Sequence, residues 1–160
     1  MLPQSLEELD AIRDECRRMV AGRASLSAGA SALPLPGLDA AADVAILLQL
    51  IPAINQRFGV APGQMAGYDA ARKQLLYQMI RRAGSALLGM EVTRTLLAAV
   101  LKKVAGRLAA KQALKLAPLL GWAANAAIGF AAMKYIGNSH IDDCYAVCRR
   151  MLEQGAATPE

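Results

Sequence analysis

Residues 24–56 carry only two charges, Asp39 and Asp43, in 33 consecutive positions. Pro34-Leu35-Pro36-Gly37 divides this stretch, and prolines break a helix because their torsions are fixed and they lack an amide donor. Small uncharged residues lie before the break, and a long apolar run follows Asp43. We therefore expect a helical hairpin with arms of about ten and eighteen residues, the first of which is too short to span a bilayer.

The composition favours closely packed helices. Hydrophobic residues make up 55% of the 160 positions but aromatic residues only 4%, so the excess is in small aliphatic side chains. Such side chains let helices approach closely, in a core or in lipid. We predict an all-α fold, a compact helical bundle with a Pro-Gly helical hairpin and one or two strongly hydrophobic helices. Residues 1–154 should form a single helical domain, and 155–160 a frayed tail.

Apolar residues at spacings of three and four predict amphipathic helices elsewhere in the chain. Ser5 followed by Glu8 is a capping-box pattern, which places the start of the first helix. Gly137-Asn138-Ser139 predicts the end of one helix and the start of the last. The predicted helices cover residues 5–22, 69–83, 86–105 and roughly 139–153.

The most lipid-like segment is Leu116 to Met133, which has no charge and lies between Lys115 and Lys134. It also carries Trp122, a residue typical of the membrane interface. The segment just reaches spanning length, but a proline, a glycine and an asparagine interrupt it. It therefore fits either a membrane helix or a buried core helix.

Basic residues are concentrated between positions 70 and 115, which hold ten of them against one acid. Four form an unbroken ladder at spacings of four, here called the basic ladder: Lys103, Arg107, Lys111 and Lys115. Such a face would bind anionic lipid head groups, at about 1 kcal/mol for each charge, or would simply be solvated. Nucleic-acid binding is not supported, because no aromatic residues interleave with these lysine and arginine residues.

The cysteines and the single histidine are weak candidates for chemistry. His140, Cys144 and Cys148 share one helix face, but positions eight apart cannot share one tetrahedral zinc ion. A thiol nucleophile beside His140 would lack oxyanion donors. We interpret the cysteines as buried and reduced, and their odd number indicates a cytoplasmic location. The first 23 residues interleave acids with arginines, unlike a signal peptide.

Asp39 and Asp43 lie one turn apart, so two carboxylates could act as acid and base or hold a cation. In the competing interpretation, Asp39 caps the helix and Asp43 pairs with a basic partner. Together with His140 they form the candidate polar site. We predict no catalytic residues, no metal and no cofactor, and an enzyme built on these three residues is the weakest of three hypotheses.

Residues 33–60 and 115–137 resemble the helical domain of unknown function in YcjF-like bacterial proteins, which often accompanies a small GTPase domain. Looser resemblance extends to EcsC-like proteins and to the helical region of immunity-related GTPases. The resemblance implies membrane association and a nucleotide-dependent partner. This chain has no GxxxxGK[ST] phosphate loop, so a separate polypeptide would bind the nucleotide.

The sequence thus predicts a non-catalytic module at the cytoplasmic face of the inner membrane, attached peripherally or integrally. It would bind anionic lipid, a protein partner such as a GTPase, or both. The alternative is a soluble helical bundle that partners a separately encoded GTPase. The glycine and alanine faces of the chain are compatible with a homo-oligomer. The predicted lipid-binding residues are Lys103, Arg107, Lys111, Lys115, Trp122 and Lys134.

Overall fold

A computed structural model describes residues 1–30, 38–85, 87–88, 91–112 and 121–155. These ranges contain six helices and no strand, which confirms the prediction of an all-α helical bundle. The helices are α1 (Leu6–Ala30), α2 (Leu38–Arg57), α3 (Pro62–Ala66), α4 (Ala70–Ala83), α5 (Arg94–Gln112) and α6 (Gly121–Gly155).

The chain forms two compact units, and the helices α1, α2 and α6 each contribute to both. Unit 1 comprises Met1–Arg17, Ile51–Glu91 and the chain from Ser139 onward, and unit 2 comprises Arg18–Leu50 and Val92–Asn138. The single-domain assignment of residues 1–154 stays a prediction. So does the frayed tail, since residues 156–160 lie outside the described part of the chain.

The core of unit 1 is built mainly from aliphatic side chains of α1, α2, α4 and α6. Of the four α4 residues that the amphipathic pattern places inward, Leu76, Met79 and Ile80 are buried and Leu75 is half-buried. Burying a side chain of this size stabilises a fold by about 1.5 to 3 kcal/mol, so these faces hold the unit together. Other fully buried members are Leu9, Ile51, Ile54, Phe58, Ile141 and Val147.

The first helix begins where the sequence predicts. The Glu8 amide donates to Ser5 Oγ at 3.1 Å, and Glu8 Oε2 accepts from the Gln4 amide at 2.7 Å. The helix runs to Ala30, however, so the predicted end near residue 22 is wrong and the first hairpin arm is the last part of α1. Nothing in the small residues that follow interrupts it.

A hydrogen bond connects α1 and α2 within unit 2, next to the predicted hairpin arms. Arg23 Nη1 donates to Gln49 Oε1 at 3.1 Å, joining the end of α1 to α2. Residues 34–37, the predicted elbow, lie outside the described ranges.

The end of α2 is a Schellman motif. The amide of Gly59 donates to Gln56 O at 3.2 Å and that of Val60 to Asn55 O at 2.9 Å. Gly59 has φ +73°, and a Cβ there would lie 2.4 Å from the backbone oxygen of Met1. Glycine is therefore required at this position both for its conformation and for space.

Helix α5 begins at Arg94, so the prediction of a helix from residue 86 is wrong in its first part. Thr93 acts as the cap: its Oγ1 accepts from the Leu96 amide at 3.3 Å and its backbone oxygen from the Leu97 amide at 3.1 Å. Glu91, which the predicted range 86–105 includes, lies before the helix.

Helix α6 is continuous from Gly121 to Gly155, so the predicted break at Gly137-Asn138-Ser139 is also wrong. A Cβ on Gly137 would lie 2.7 Å from a methyl group of Val20. The glycine therefore serves the close approach of α1 and α6 in unit 2 and does not end a helix.

One stretch among the described residues, Ala41–Ala66, meets the length and composition of a membrane span, and its most apolar window has a mean hydropathy of 1.4. It covers most of α2, the turn at Gly59 and α3. Of its most apolar window, 44% is buried inside the protein, and core helices pass the same test of length and composition. The predicted segment Leu116 to Met133 is described only from residue 121. At its end, Ala132 and Met133 are 0% exposed.

Candidate functional site

The exposed side of α5 is the most distinctive surface of unit 2. Exposed residues occur there as adjacent pairs every four positions, which makes a continuous strip along the helix, here called the α5 strip. Leu97 and Leu101 are buried on the opposite side and fix the helix in the unit. The strip consists of Arg94, Thr95, Ala98, Ala99, Lys102, Lys103, Gly106 and Arg107.

Two members of the basic ladder, Lys103 and Arg107, lie on this strip and are exposed. Lys111 continues the same face of α5 in the next turn, and Lys115 lies outside the described residues. Since the helix is unbroken from Arg94 to Gln112, the predicted spacing of the ladder holds through its first three members.

The charge of this region is uniform. The sequence from Val92 to Ile141 contains seven basic residues and no acid. Where the structure describes ion pairs, none involves a base of α5, whereas arginines 13, 17, 57, 72 and 149 of unit 1 each pair with a carboxylate. The positive charges of the α5 strip are therefore available to an external anion.

An open cavity of about 890 Å³ lies against the strip within unit 2. Helix α5 supplies the charged part of the lining with Arg94 and Lys102. The rest of the described lining is mostly small and aliphatic: Ala41 and Val44 of α2, Ala98, Leu101 and Ala105 of α5, and Ile128 of α6. This volume falls within the range of about 300 to 1,000 Å³ typical of small-molecule sites.

Asp43 also lines the cavity, but it is only 5% exposed. Its Oδ2 would lie 3.3 Å from a Cβ built on Gly129, so the carboxylate packs closely on the backbone of α6. Asp43 also interacts with the protein around it. A buried carboxylate requires such an interaction to offset its loss of hydration.

The remaining predicted residues of unit 2 are only partly described. Asp39 lies in the first turn of α2 and Trp122 in the first turn of α6, with their backbones alone described. Lys134 is half-buried on α6, and its Nζ lies 5.7 Å from the centre of the Phe130 ring. Through this cation–π contact, the ammonium group of Lys134 interacts with a side chain of the protein itself.

A buried polar cluster lies in unit 1, formed by Asn55, His140 and Cys144. His140 Nε2 lies 2.8 Å from Asn55 Oδ1, and Cys144 Sγ lies 3.7 Å from each of these two atoms. Because an amide oxygen accepts, Nε2 carries the proton and donates. Nδ1 of the same ring is buried and has no hydrogen-bond partner within the described structure.

Burial governs the titration of this cluster. Desolvation lowers the pKa of His140 to about 4, so the imidazole is neutral at physiological pH. The same effect raises the pKa of Cys16 to about 11 and of Cys148 to about 12, and it raises the pKa of Cys144. The thiols are therefore protonated and poorly nucleophilic.

The cysteines of this region are free and buried, as the packing interpretation predicts. Cys148 Sγ also donates to the backbone oxygen of Phe58 at 3.5 Å. Within the described ranges, no group of three or more histidine, cysteine, aspartate or glutamate side chains could hold a metal ion. His140 lies in unit 1 and Asp43 in unit 2, each with neighbours of its own.

Sequence reasoning missed Asn55 and the cavity-lining bases Arg94 and Lys102. The signal for Asn55 is its spacing, since it follows the buried Leu47 and Ile51 at intervals of four. The cavity itself leaves almost no signal, because its walls are alanine and short aliphatic residues from three separate helices.

No protein-family model, no curated protein and no solved structure matches this chain. The resemblance to YcjF-like proteins therefore stays an expectation from the sequence.

Proposed function

We propose that this chain is a non-catalytic helical module that attaches to the cytoplasmic face of a membrane by binding anionic lipid. The observation that carries the proposal is the α5 strip, where exposed bases lie along one helix without an acid in the surrounding sequence. Anionic head groups bind such clusters at about 1 kcal/mol for each nearby lysine or arginine.

Peripheral attachment fits the packing better than insertion. In Ala41–Ala66, the described stretch with the composition of a membrane span, Leu47, Leu50 and Ile51 are at most 1% exposed. The same holds at the end of the predicted Leu116 to Met133 segment, where Ala132 and Met133 are buried. Side chains that already form the core cannot also contact lipid unless the fold opens, so charge should supply most of the affinity.

The experiment is co-sedimentation with vesicles of phosphatidylcholine alone or mixed with phosphatidylglycerol. The wild-type protein should bind only the mixed vesicles. Replacing Lys103 and Arg107 by glutamine should weaken binding about thirtyfold, which corresponds to about 1 kcal/mol for each charge. The matched control replaces Arg81 and Arg82, which are exposed in unit 1 and have no described ion pair.

The control carries the same change in net charge, so a loss that depends only on total charge would affect both variants equally. That result, or equal binding to both kinds of vesicle, would refute the proposal. Binding to a separate protein, such as a GTPase, is the alternative function. It would be favoured if the protein stays in the supernatant with vesicles and the α5 variant loses a co-purifying partner.

A further inference from the structure

The cavity of unit 2 shares Arg94, Thr95, Ala98 and Lys102 with the α5 strip, yet attachment to a charged surface makes no use of its apolar walls. Its described lining comes from α2, α5 and α6, so three helices with separate positions in the sequence form one site. The volume of about 890 Å³ is large enough for a small organic molecule, and the chemistry of the lining indicates which kind of molecule would fit.

The walls favour an aliphatic chain. Ala41, Val44, Ala98, Ala105 and Ile128 present methyl and methylene groups, and no aromatic ring is among the described lining residues. A nucleotide or another polar planar ligand would need hydrogen-bond donors and acceptors along its length, and these walls offer few. An acyl chain needs none and gains from burial of its methylene groups.

The charged lining residues favour an anionic group at one end of that chain. Arg94 and Lys102 line the cavity and are both exposed, so they lie where the cavity meets solvent. They are two helical turns apart, about 12 Å along the axis, and Thr95 lies between them with a hydroxyl donor. Long basic side chains at this spacing can reach one phosphate group from two sides.

The acid in the lining does not oppose this assignment. Asp43 is 5% exposed, packs against the backbone at Gly129, and interacts within the protein. It therefore presents little charge to a ligand at the mouth of the cavity.

We infer that the unit 2 cavity binds one anionic phospholipid, with an acyl chain between α2, α5 and α6 and the phosphate at Arg94 and Lys102. This inference rests on the proposed function and deepens it, because the module would then hold a single lipid molecule in addition to contacting a charged surface. The basic ladder contacts the membrane, while the cavity residues hold the lipid.

The experiment measures binding of monomeric lysophosphatidylglycerol by native mass spectrometry and by titration calorimetry, below the concentration at which the lipid forms micelles. One molecule should bind each chain. Ala98→Leu should weaken binding about tenfold, since the larger side chain enters the cavity. The matched control is Ala71→Leu, an exposed alanine of α4 in unit 1 that lies outside the α5 strip and does not line the cavity.

A second pair of variants tests the charge. Lys102→Gln should weaken binding about fivefold, as expected for the loss of one charge near a phosphate. Arg81→Gln in unit 1 makes the same change in net charge and should have no effect. Absence of a 1:1 complex, or equal losses in a variant and its control, would overturn the inference.

The two proposals fail in different ways. If the protein binds phosphatidylglycerol vesicles but forms no 1:1 complex with the monomeric lipid, the cavity inference is wrong and surface attachment stands. If a 1:1 complex forms but vesicles do not bind, surface attachment is wrong and the chain is a soluble lipid-binding protein. Circular dichroism of each variant checks that the helices are intact.

Discussion

Protonation of His140 should make the fold less stable as the pH falls below neutral. In the folded protein its pKa is lowered to about 4 by burial, whereas the ordinary value is 6.5. Nε2 already donates to Asn55 Oδ1, so a second proton would be placed on Nδ1, which has no acceptor in the described structure. The charged ring is therefore strongly disfavoured in the native state.

The sign and size follow from proton linkage. Between about pH 6.5 and pH 4 the unfolded chain binds a proton that the folded chain does not, so stability is lost as the pH falls. From about pH 7.5 to pH 5 the loss through this one group is about 2 kcal/mol. At still lower pH it levels off at about 3 kcal/mol, because the folded state then takes up the proton too.

The assay compares urea unfolding of the wild-type protein and of the His140→Gln variant at the two pH values. Glutamine keeps a polar side chain near Asn55 but does not titrate. The variant can be less stable at both pH values, so the informative quantity is the change between them, which should be about 2 kcal/mol smaller in the variant.

Other titrating groups act on both proteins alike and cancel in this comparison. Burial raises the pKa of Asp143, for example, so this carboxyl group makes the fold more stable as the pH falls, opposite to His140. The chain has one histidine, so the proton resonances of its ring report His140 directly. Equal losses in wild type and variant, or a histidine that titrates near pH 6.5 in the folded protein, would refute the reasoning.

Three further predictions concern packing and thiol chemistry. Gly137→Ala should destabilise the fold by about 1 to 3 kcal/mol in urea unfolding, since its Cβ would meet Val20, and Val20→Ala should relieve part of that loss. Gly106→Ala is the matched control inside a helix, because a Cβ built on Gly106 has no neighbour within 4 Å. This substitution should stabilise the fold by about 0.5 to 1 kcal/mol, and a loss of stability would contradict the open space around Gly106. The three buried cysteines should resist N-ethylmaleimide at about pH 8 in the native state and react in denaturant, as measured by intact mass; rapid native labelling would contradict their burial.

The sequence predicts most helices of this fold because their apolar stripes and caps are local. The start of α1 at Ser5 and the buried face of α4 follow directly from spacing. The errors arise where one signal has two physical causes. Gly137 resembles a helix end in the sequence, but tertiary contact with Val20 is what requires a glycine there. Only the packed structure distinguishes these causes.

The candidate site shows the same division. The basic ladder is visible from spacing alone, because four charges at intervals of four must share a helix face. The cavity beside it is not visible, since it depends on how small and aliphatic residues from three helices leave space between them. Small apolar residues carry the same sequence signal whether they fill a core or line a binding site.

The membrane proposal finally depends on which residues remain available for lipid. The apolar side chains that make this chain resemble a membrane protein are in large part core residues of the described structure, as Leu47, Leu50 and Met133 show. The bases of the α5 strip are exposed, and the described acids do not pair with them. If attachment relies on these charges, it must be screened by salt, since the Debye length falls from about 10 Å at 0.1 M to about 3 Å at 1 M. High salt should therefore release the protein from membranes, whereas retention through both high salt and alkaline carbonate would mean that the buried apolar helices open into lipid.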